Sequence, residues 1–372
     1  MNKVLFVNIE GQLGGAERSL LLLAKYLGSD FHIAVACPAG SPLAEQLTCL
    51  RVDSFIIPNP PSRSFLHIIQ IIHLAKTSYR IIKIAHNFKP SIIHANNFYA
   101  AIASILSVTI TRQKLLWHAR DLTRFKLAPK ICSFFCTRVI AVSNAVKESL
   151  IKKGIKPVKI VVVHNGIELD TSRCDIPETV QSKSVNAPVT FANVGQFVPW
   201  KKQALFIEAA CRLIQKNSNT RFFLVGDDIF DGNPEYKAGL LNQIRNSETA
   251  EKITFLGWQE NMNEVWSKID CLVHTAANEP FGRVIIEAMG HHVPVIAINQ
   301  CGPGEIIQNG KTGVLVNPDN IEELSEAMLK IAGDKNLALQ LASAAYQYVA
   351  SRFSAETTAE HIREIYQQVL AA

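Results

Sequence analysis

The sequence predicts an α/β protein built on parallel sheets. Three observations carry this. Short apolar runs alternate with longer amphipathic stretches along the whole chain. A polar stretch at 168–187 lacks periodicity, and the alternation restarts after it. The 372 residues are 48% apolar and 19% charged, a globular composition long enough for two domains of ordinary size.

Charge is divided unevenly. Residues 1–185 hold 23 Lys and Arg against 11 Asp and Glu; residues 186–372 hold 15 against 21. The basic half suits an anionic membrane surface, a phospholipid-linked substrate or a nucleic acid, or it complements the acidic half across an interface. Nucleic acid is the weakest of these, because the bases are dispersed without an interleaved aromatic platform. The eight cysteines form no C-x-x-C pair and have no His cluster beside them, which implies a reducing compartment and no zinc site. The apolar run Val4–Ile9 is too short for a signal-peptide core, and no stretch has the length of an uninterrupted membrane helix. The expected location is cytoplasmic, with peripheral attachment to the inner membrane face as an option.

The elements follow in order. Val4–Asn8 reads as a buried strand. Gly11, Gly14 and Gly15 follow it, then a helical run from Ser19 to Leu27. Strand, glycine loop, helix can cradle a phosphate, although G-x-G-x-x-G is absent and glycines also serve any tight turn. His32–Ala36, Ser54–Ile57 and Ser91–His94 read as strands. Phe65–Phe88 is a long amphipathic run with Ile68, Ile69 and Ile72 on one side and Lys76, Arg80 and Lys83 on the other. It reads either as a domain helix with a solvated face or as a surface for anionic lipid, and the two are compatible. Lys114–Trp117 is a strand ending in His118, with Arg120 and Asp121 just beyond. Ligands of α/β sheets bind at strand C-termini, so His118 is either a ligand contact or a structural histidine. Arg138–Val142 is a strand, Ser143-Asn144 caps a helix from Ala145, and Lys159–Val163 is the next strand.

In the second half Thr190–Val194 is a strand, followed by a loop through Gln196, Lys201 and Lys202 and a helix through Cys211. Arg221–Val225, Ile253–Trp258 and Cys271–Val273 read as strands. Asn278–Gly282 is a polar loop and Arg283–Met289 a helix. Its N-terminus suits a phosphate; Glu279 just before it and Glu287 inside it can accept sugar hydroxyls, or they are a loop glutamate and a solvated one. Pro294–Ile298 and the run into Val314–Val316 are the last strands, and helices follow at about 320–333, 335–351 and 354–370.

Several motifs carry a family resemblance. Glu279–Met289, E-P-F-G-x-x-x-x-E-A-M, resembles the signature of retaining glycosyltransferases of family 4, which have the GT-B fold. The loop Gly14-Gly15-Ala16-Glu17-Arg18, His118, the V-x-N-G-I run ending at Ile167, the lysine at Lys201 and the glycine-rich run Gly302–Gly313 are similar to the family as well. The resemblance implies two Rossmann-like domains facing across a cleft. Residues 1–167 would bind acceptor, 168–187 would link, 188–353 would bind the nucleotide-sugar, and 354–372 would cross back as a helix.

The resemblance also implies roles. Gly14 and Gly15 would face the donor phosphates, with Glu17, Arg18 and Arg120 on the acceptor side. His118 would lie near the anomeric carbon. Lys201 would compensate the leaving diphosphate in place of a metal, with Phe281, Gly282 and Arg283 at the helix terminus beside it. Glu279 would hold the sugar and Glu287 the ribose. Gly257 and Trp258 would flank the base. The co-substrate would be a nucleotide diphosphate-sugar, UDP or GDP rather than ADP, with no further cofactor; the acceptor would be a glycan, glycolipid or lipid-linked glycan. Gln196 departs from the family's arginine and Lys202 from its glycine. That keeps open a non-catalytic nucleotide-sugar-binding protein, and an epimerase on the same fold is the other alternative.

Overall fold

The computed structural model describes residues 1–61, 67–169, 187–228, 232–247 and 249–372. The chain divides into two compact units, one of Met1–Glu168 with Ser354–Ala372, the other of Leu169–Phe353. Of the expected linker, 170–186 lies outside the described residues, as do Phe65 and Leu66 at the start of the amphipathic run.

The first unit holds seven strands: β1 Asn2–Val7, β2 Phe31–Pro38, β3 Asp53–Ile57, β4 Ile92–Ala95, β5 Lys114–Ala119, β6 Arg138–Ala141 and β7 Ile160–Val162. Their order is β3-β2-β1-β4-β5-β6-β7, and every neighbouring pair is parallel. Such a sheet is covered on both faces, which is why its strands are apolar runs rather than alternations; Val4 to Val7 are fully buried. Strand β5 is longer than its apolar run. His118 and Ala119 stay in the ladder, opposite Ile140 and Ala141, because parallel pairing needs only their backbone.

The helix Gly15–Leu27 begins four residues before its apolar periodicity. Glu17, its third residue, folds back to accept from the Gly14 backbone N–H at 3.1 Å, as in a capping box. Helices His67–Phe88, Phe98–Thr111, Ala128–Phe135 and Asn144–Lys152 connect the later strands. Ser143 caps the last of them by accepting from Val146 N.

The closing helix, Ala355–Ala371, packs on Gly15–Leu27 and places Ile362 and Tyr366 in the core of this unit. Its start is pinned by Ala355 N donating to the Ile167 carbonyl at 2.8 Å. Gly166 makes that approach possible, since a Cβ there would lie 2.3 Å from the Ser354 carbonyl oxygen.

The second unit holds β8 Val189–Val194, β9 Thr220–Val225, β10 Ile253–Gly257, β11 Cys271–His274, β12 Val295–Ile298 and β13 Val314–Val316. The order is β10-β9-β8-β11-β12-β13, again all parallel. Both sheets are therefore Rossmann-like, as the family resemblance implies. The helix after β8, Gln203–Lys216, runs past the expected end at Cys211, because its apolar face continues to Leu213 and packs on the helix Ile321–Gly333. Each sheet reverses its strand order once, between β1 and β4 and between β8 and β11. Those points are where open α/β sheets form a ligand crevice.

Gly166→Ala is expected to destabilise the first unit by about 1–3 kcal/mol, because the closing helix must shift to admit a methyl group. A lower urea midpoint checks this; an unchanged midpoint would mean that the helix is not held at that contact.

Candidate active site

The second unit opens its strand ends with glycine. Strands β8, β9 and β10 are followed by or end in Gly195, Gly226 and Gly257, all at positive φ. A Cβ on Gly226 would lie 1.9 Å from the Gly195 carbonyl oxygen, so the two backbones close on each other as only glycine permits. Gly257 has nothing within 4 Å of where a Cβ would stand.

Next to Gly195 a short 3₁₀ turn, Pro199–Lys201, aims Lys201 toward β11. Thr275, one residue past β11, donates to the Lys201 carbonyl at 2.9 Å, and Asn193 of β8 donates to Val273 O and to Thr275 Oγ1. The turn is thereby tied to the switch-point strands. Lys201 Nζ donates to Glu279 Oε2 at 2.5 Å, and His274 Nε2 lies 3.4 Å from the same oxygen. Glu279 is only 8% exposed. Burial alone would raise its pKa, but Lys201 and the nearby His274 imidazole outweigh it and hold the carboxyl at about 2. Burial lowers the His274 pKa, and Glu279 restores only part of the loss, so the imidazole is neutral at physiological pH.

The loop carrying Glu279 lies between Asn278 and Gly282, both in the left-handed region. The Glu279 carbonyl accepts from Gly302 N at 3.0 Å. A Cβ on Gly302 would lie 2.2 Å from the Phe281 carbonyl oxygen, so this glycine is needed for the loop to seat. Gly282 is the N-cap of the helix Arg283–Gly290. One turn in, Glu287 accepts from Arg283 Nε at 2.7 Å. Lys202, where the family has glycine, pairs with Asp319. The Gln196 carbonyl accepts from Gln203, which anchors the first turn of the next helix.

Gly257 and Trp258 lie at the end of β10. Trp258, 42% exposed, borders a cavity of about 440 Å3 together with Asp227, Asp228, Pro234 and Lys237. Asp228 is buried and accepts from Gly232 N and Asn233 N, fixing the approach to the helix Pro234–Arg245.

In the first unit Gly14 and Gly15 open the first helix. Arg18 is half-buried on it, and Glu17 is turned inward. Glu17 accepts from Asn8, Asn8 accepts from Asn96, and Asn96 accepts from Arg120 Nε at 2.8 Å. Arg120 also donates to Asn165 at 2.7 Å and to His118 Nδ1 at 3.3 Å. It is 7% exposed, so it is an internal cation rather than an open acceptor-side contact. A guanidinium only donates, so His118 Nδ1 accepts and the proton sits on Nε2. His94 Nε2 reaches the same Nδ1 at 3.1 Å, and Tyr366 OH meets His94 Nδ1 at 2.6 Å. Burial, then Arg120, lowers both histidine pKa values, His94 to about 3, so both rings are neutral. His118 Nε2 has no hydrogen-bond partner among the described residues and borders a cavity of about 10 Å3, room for about one water.

Sequence reasoning missed His274, His94, Tyr366 and the three asparagines. His274 ends its apolar strand, His94 and His118 stand one residue before the end of theirs, and that position was the available signal.

Lys201→Met should cost about 3 kcal/mol of stability, because it leaves a buried carboxylate without its cation. Adding Glu279→Gln should recover part of that loss in a double-mutant cycle of urea unfolding. Additive losses would mean the two groups do not interact. The folded pKa of Glu279 is depressed from the ordinary 4.5. Its contribution is therefore present above pH 4.5 and is lost as pH falls toward about 2, and Glu279→Gln should flatten that limb of the acid titration.

Two family models match the chain. Glycosyltransferase Family 4 covers residues 13–171 and Glycosyl transferases group 1 covers 176–348. The structure of Anabaena HepE in complex with UDP and glucose superposes with a TM-score of 0.85 at 27% identity, over 99% of this chain and 100% of that one. The Escherichia coli UDP-Gal:alpha-D-GlcNAc-diphosphoundecaprenol alpha-1,3-galactosyltransferase is 25% identical over 90% of this chain and 89% of its own. The Staphylococcus aureus capsular polysaccharide biosynthesis glycosyltransferase CapM is 24% identical over 79% and 81%. With matches over both units and the parallel-sheet pair in place, the chain belongs to glycosyltransferase family 4, enzymes of the GT-B fold.

Proposed function

We propose that the enzyme transfers a sugar from UDP to a hydroxyl of a lipid-linked or surface glycan, with retention at the anomeric carbon and without a metal. The observation that carries this reading is the buried Lys201–Glu279–His274 cluster beside the β8–β11 switch point. The bond from C1 to the diphosphate oxygen breaks. The acceptor oxygen bonds C1 on the same face, and the acceptor proton passes to the departing diphosphate. Lys201 has ammonium protons beyond the one given to Glu279, and with the helix start at Gly282 it offsets the developing phosphate charge. Glu279, held ionised, accepts from sugar hydroxyls and is unsuited to act as a general acid. Glu287 accepts from the ribose. The cavity at Trp258 takes the base. The UDP bound to HepE and the UDP-galactose named for the Escherichia coli relative support UDP over GDP, and the latter's diphosphoundecaprenol acceptor supports a lipid-linked one.

Calorimetry with UDP, GDP and ADP, each with and without EDTA, tests the donor. Selective, chelator-insensitive UDP binding is expected, weakened roughly 10- to 100-fold in Glu287→Ala by loss of a charge-assisted hydrogen bond. Binding of none of the three would overturn the reading. NMR of the product's anomeric proton tests retention, and an inverted product would overturn that part.

A further inference from the structure

We propose that the outer face of three helices in the first unit, His67–Phe88, Phe98–Thr111 and Ala128–Phe135, docks on an anionic bilayer by sinking apolar side chains among the headgroups. This deepens the lipid-linked acceptor reading but rests on separate residues.

Among the described residues, nineteen large apolar side chains are exposed, and fourteen of them lie between Ser54 and Lys147. A soluble surface scatters such residues; concentration marks a contact. The same interval carries 13 Lys and Arg and a single carboxylate, Asp121. The apolar residues fall on helix faces. Ile68, Ile71 and Ile72 recur at i, i+3 and i+4, and Ile131, Phe134 and Phe135 at i, i+3 and i+4. Ile68, Ile71 and Phe134 are each about two-thirds exposed or more.

The three helices form one layer, the second packing against both of the others. The Tyr99 and Phe125 rings, 6.2 Å apart, bridge the second helix to the loop before the third. Along that loop and helix, exposed Arg124, Lys126 and Lys130 alternate with exposed Phe125, Leu127 and Ile131. Lys76, Arg80 and Lys83 flank the apolar half of the first helix and are exposed. Apolar side chains bordered by long bases suit a bilayer interface, where the chains enter and the ammonium groups stay with anionic headgroups. A second copy fits poorly, because a self-complementary contact would bring two carboxylate-poor surfaces together. No helix among the described residues is long and apolar enough to cross a membrane, so the contact is interfacial.

The test is vesicle flotation of the full chain. Vesicles of phosphatidylcholine alone are compared with vesicles also containing phosphatidylglycerol, each at low and high salt, with UDP binding measured on the same samples. Binding to the anionic vesicles is expected, reduced but not abolished by salt. The variant Ile68→Ser/Ile72→Ser/Phe134→Ser should lose about tenfold or more in partitioning, including the salt-resistant part, with UDP affinity unchanged. The variant Lys76→Ser/Lys126→Ser should lose only the salt-sensitive part. Three outcomes would overturn the inference: no flotation of a chain that binds UDP, binding wholly removed by salt, or a dimer that the apolar variant dissociates while flotation is unchanged. Flotation without UDP binding would leave this inference standing and remove the donor assignment.

Discussion

Both units depend on one constraint: every strand is parallel to its neighbours. All strands of a sheet then release the chain at the same edge, where the backbone must leave the ladder and enter a helix. Polar chemistry collects there because both faces of the sheet are buried. The two units use the edge in opposite ways. The first fills it with side-chain amides, Asn8, Asn96 and Asn165, joined through Arg120. The second uses glycine instead: Gly195 and Gly226 bring two backbones together there, and Gly257 leaves open space at the end of β10.

Charge is handled differently to match. Arg120 is held by amide oxygens and a neutral imidazole, and burial together with its field keeps His94 and His118 unprotonated. That chain of bonds runs from the first helix to Tyr366 on the closing helix, so the C-terminal segment helps to set the His118 tautomer. In the second unit the carboxylate and the ammonium neutralise each other within one loop and one turn.

The fold was legible because buried parallel strands are apolar runs, and Val4–Val7 or Cys271–Val273 read as little else. The helices Pro234–Arg245 and Met262–Lys268 were less legible, since their polar faces give weak periodicity and their starts depend on Asp228 and Asn261. At the candidate site, Glu279 and Lys201 could be named from the family resemblance, but their contact joins residues 78 apart and is a product of folding. Nothing in the sequence marks Arg120 as buried; its partners Asn96 and Asn165 lie 24 and 45 residues away. His274 was missed because no motif marks it, although it ends an apolar strand.

The Lys201–Glu279 pair also bears on how a sugar could be held firmly without being held too early. A carboxylate in water must shed its shell before it can grip a hydroxyl. Glu279 has already shed it, and Lys201 keeps it ionised while it waits. The cost of burying that charge is met when the chain folds, so little reorganisation is left for the moment of reaction. In the proposed transfer the ammonium would be shared between Glu279 and phosphate as the diphosphate gains charge on leaving. An interaction that strengthens as the bond breaks is the kind that accelerates the chemical step.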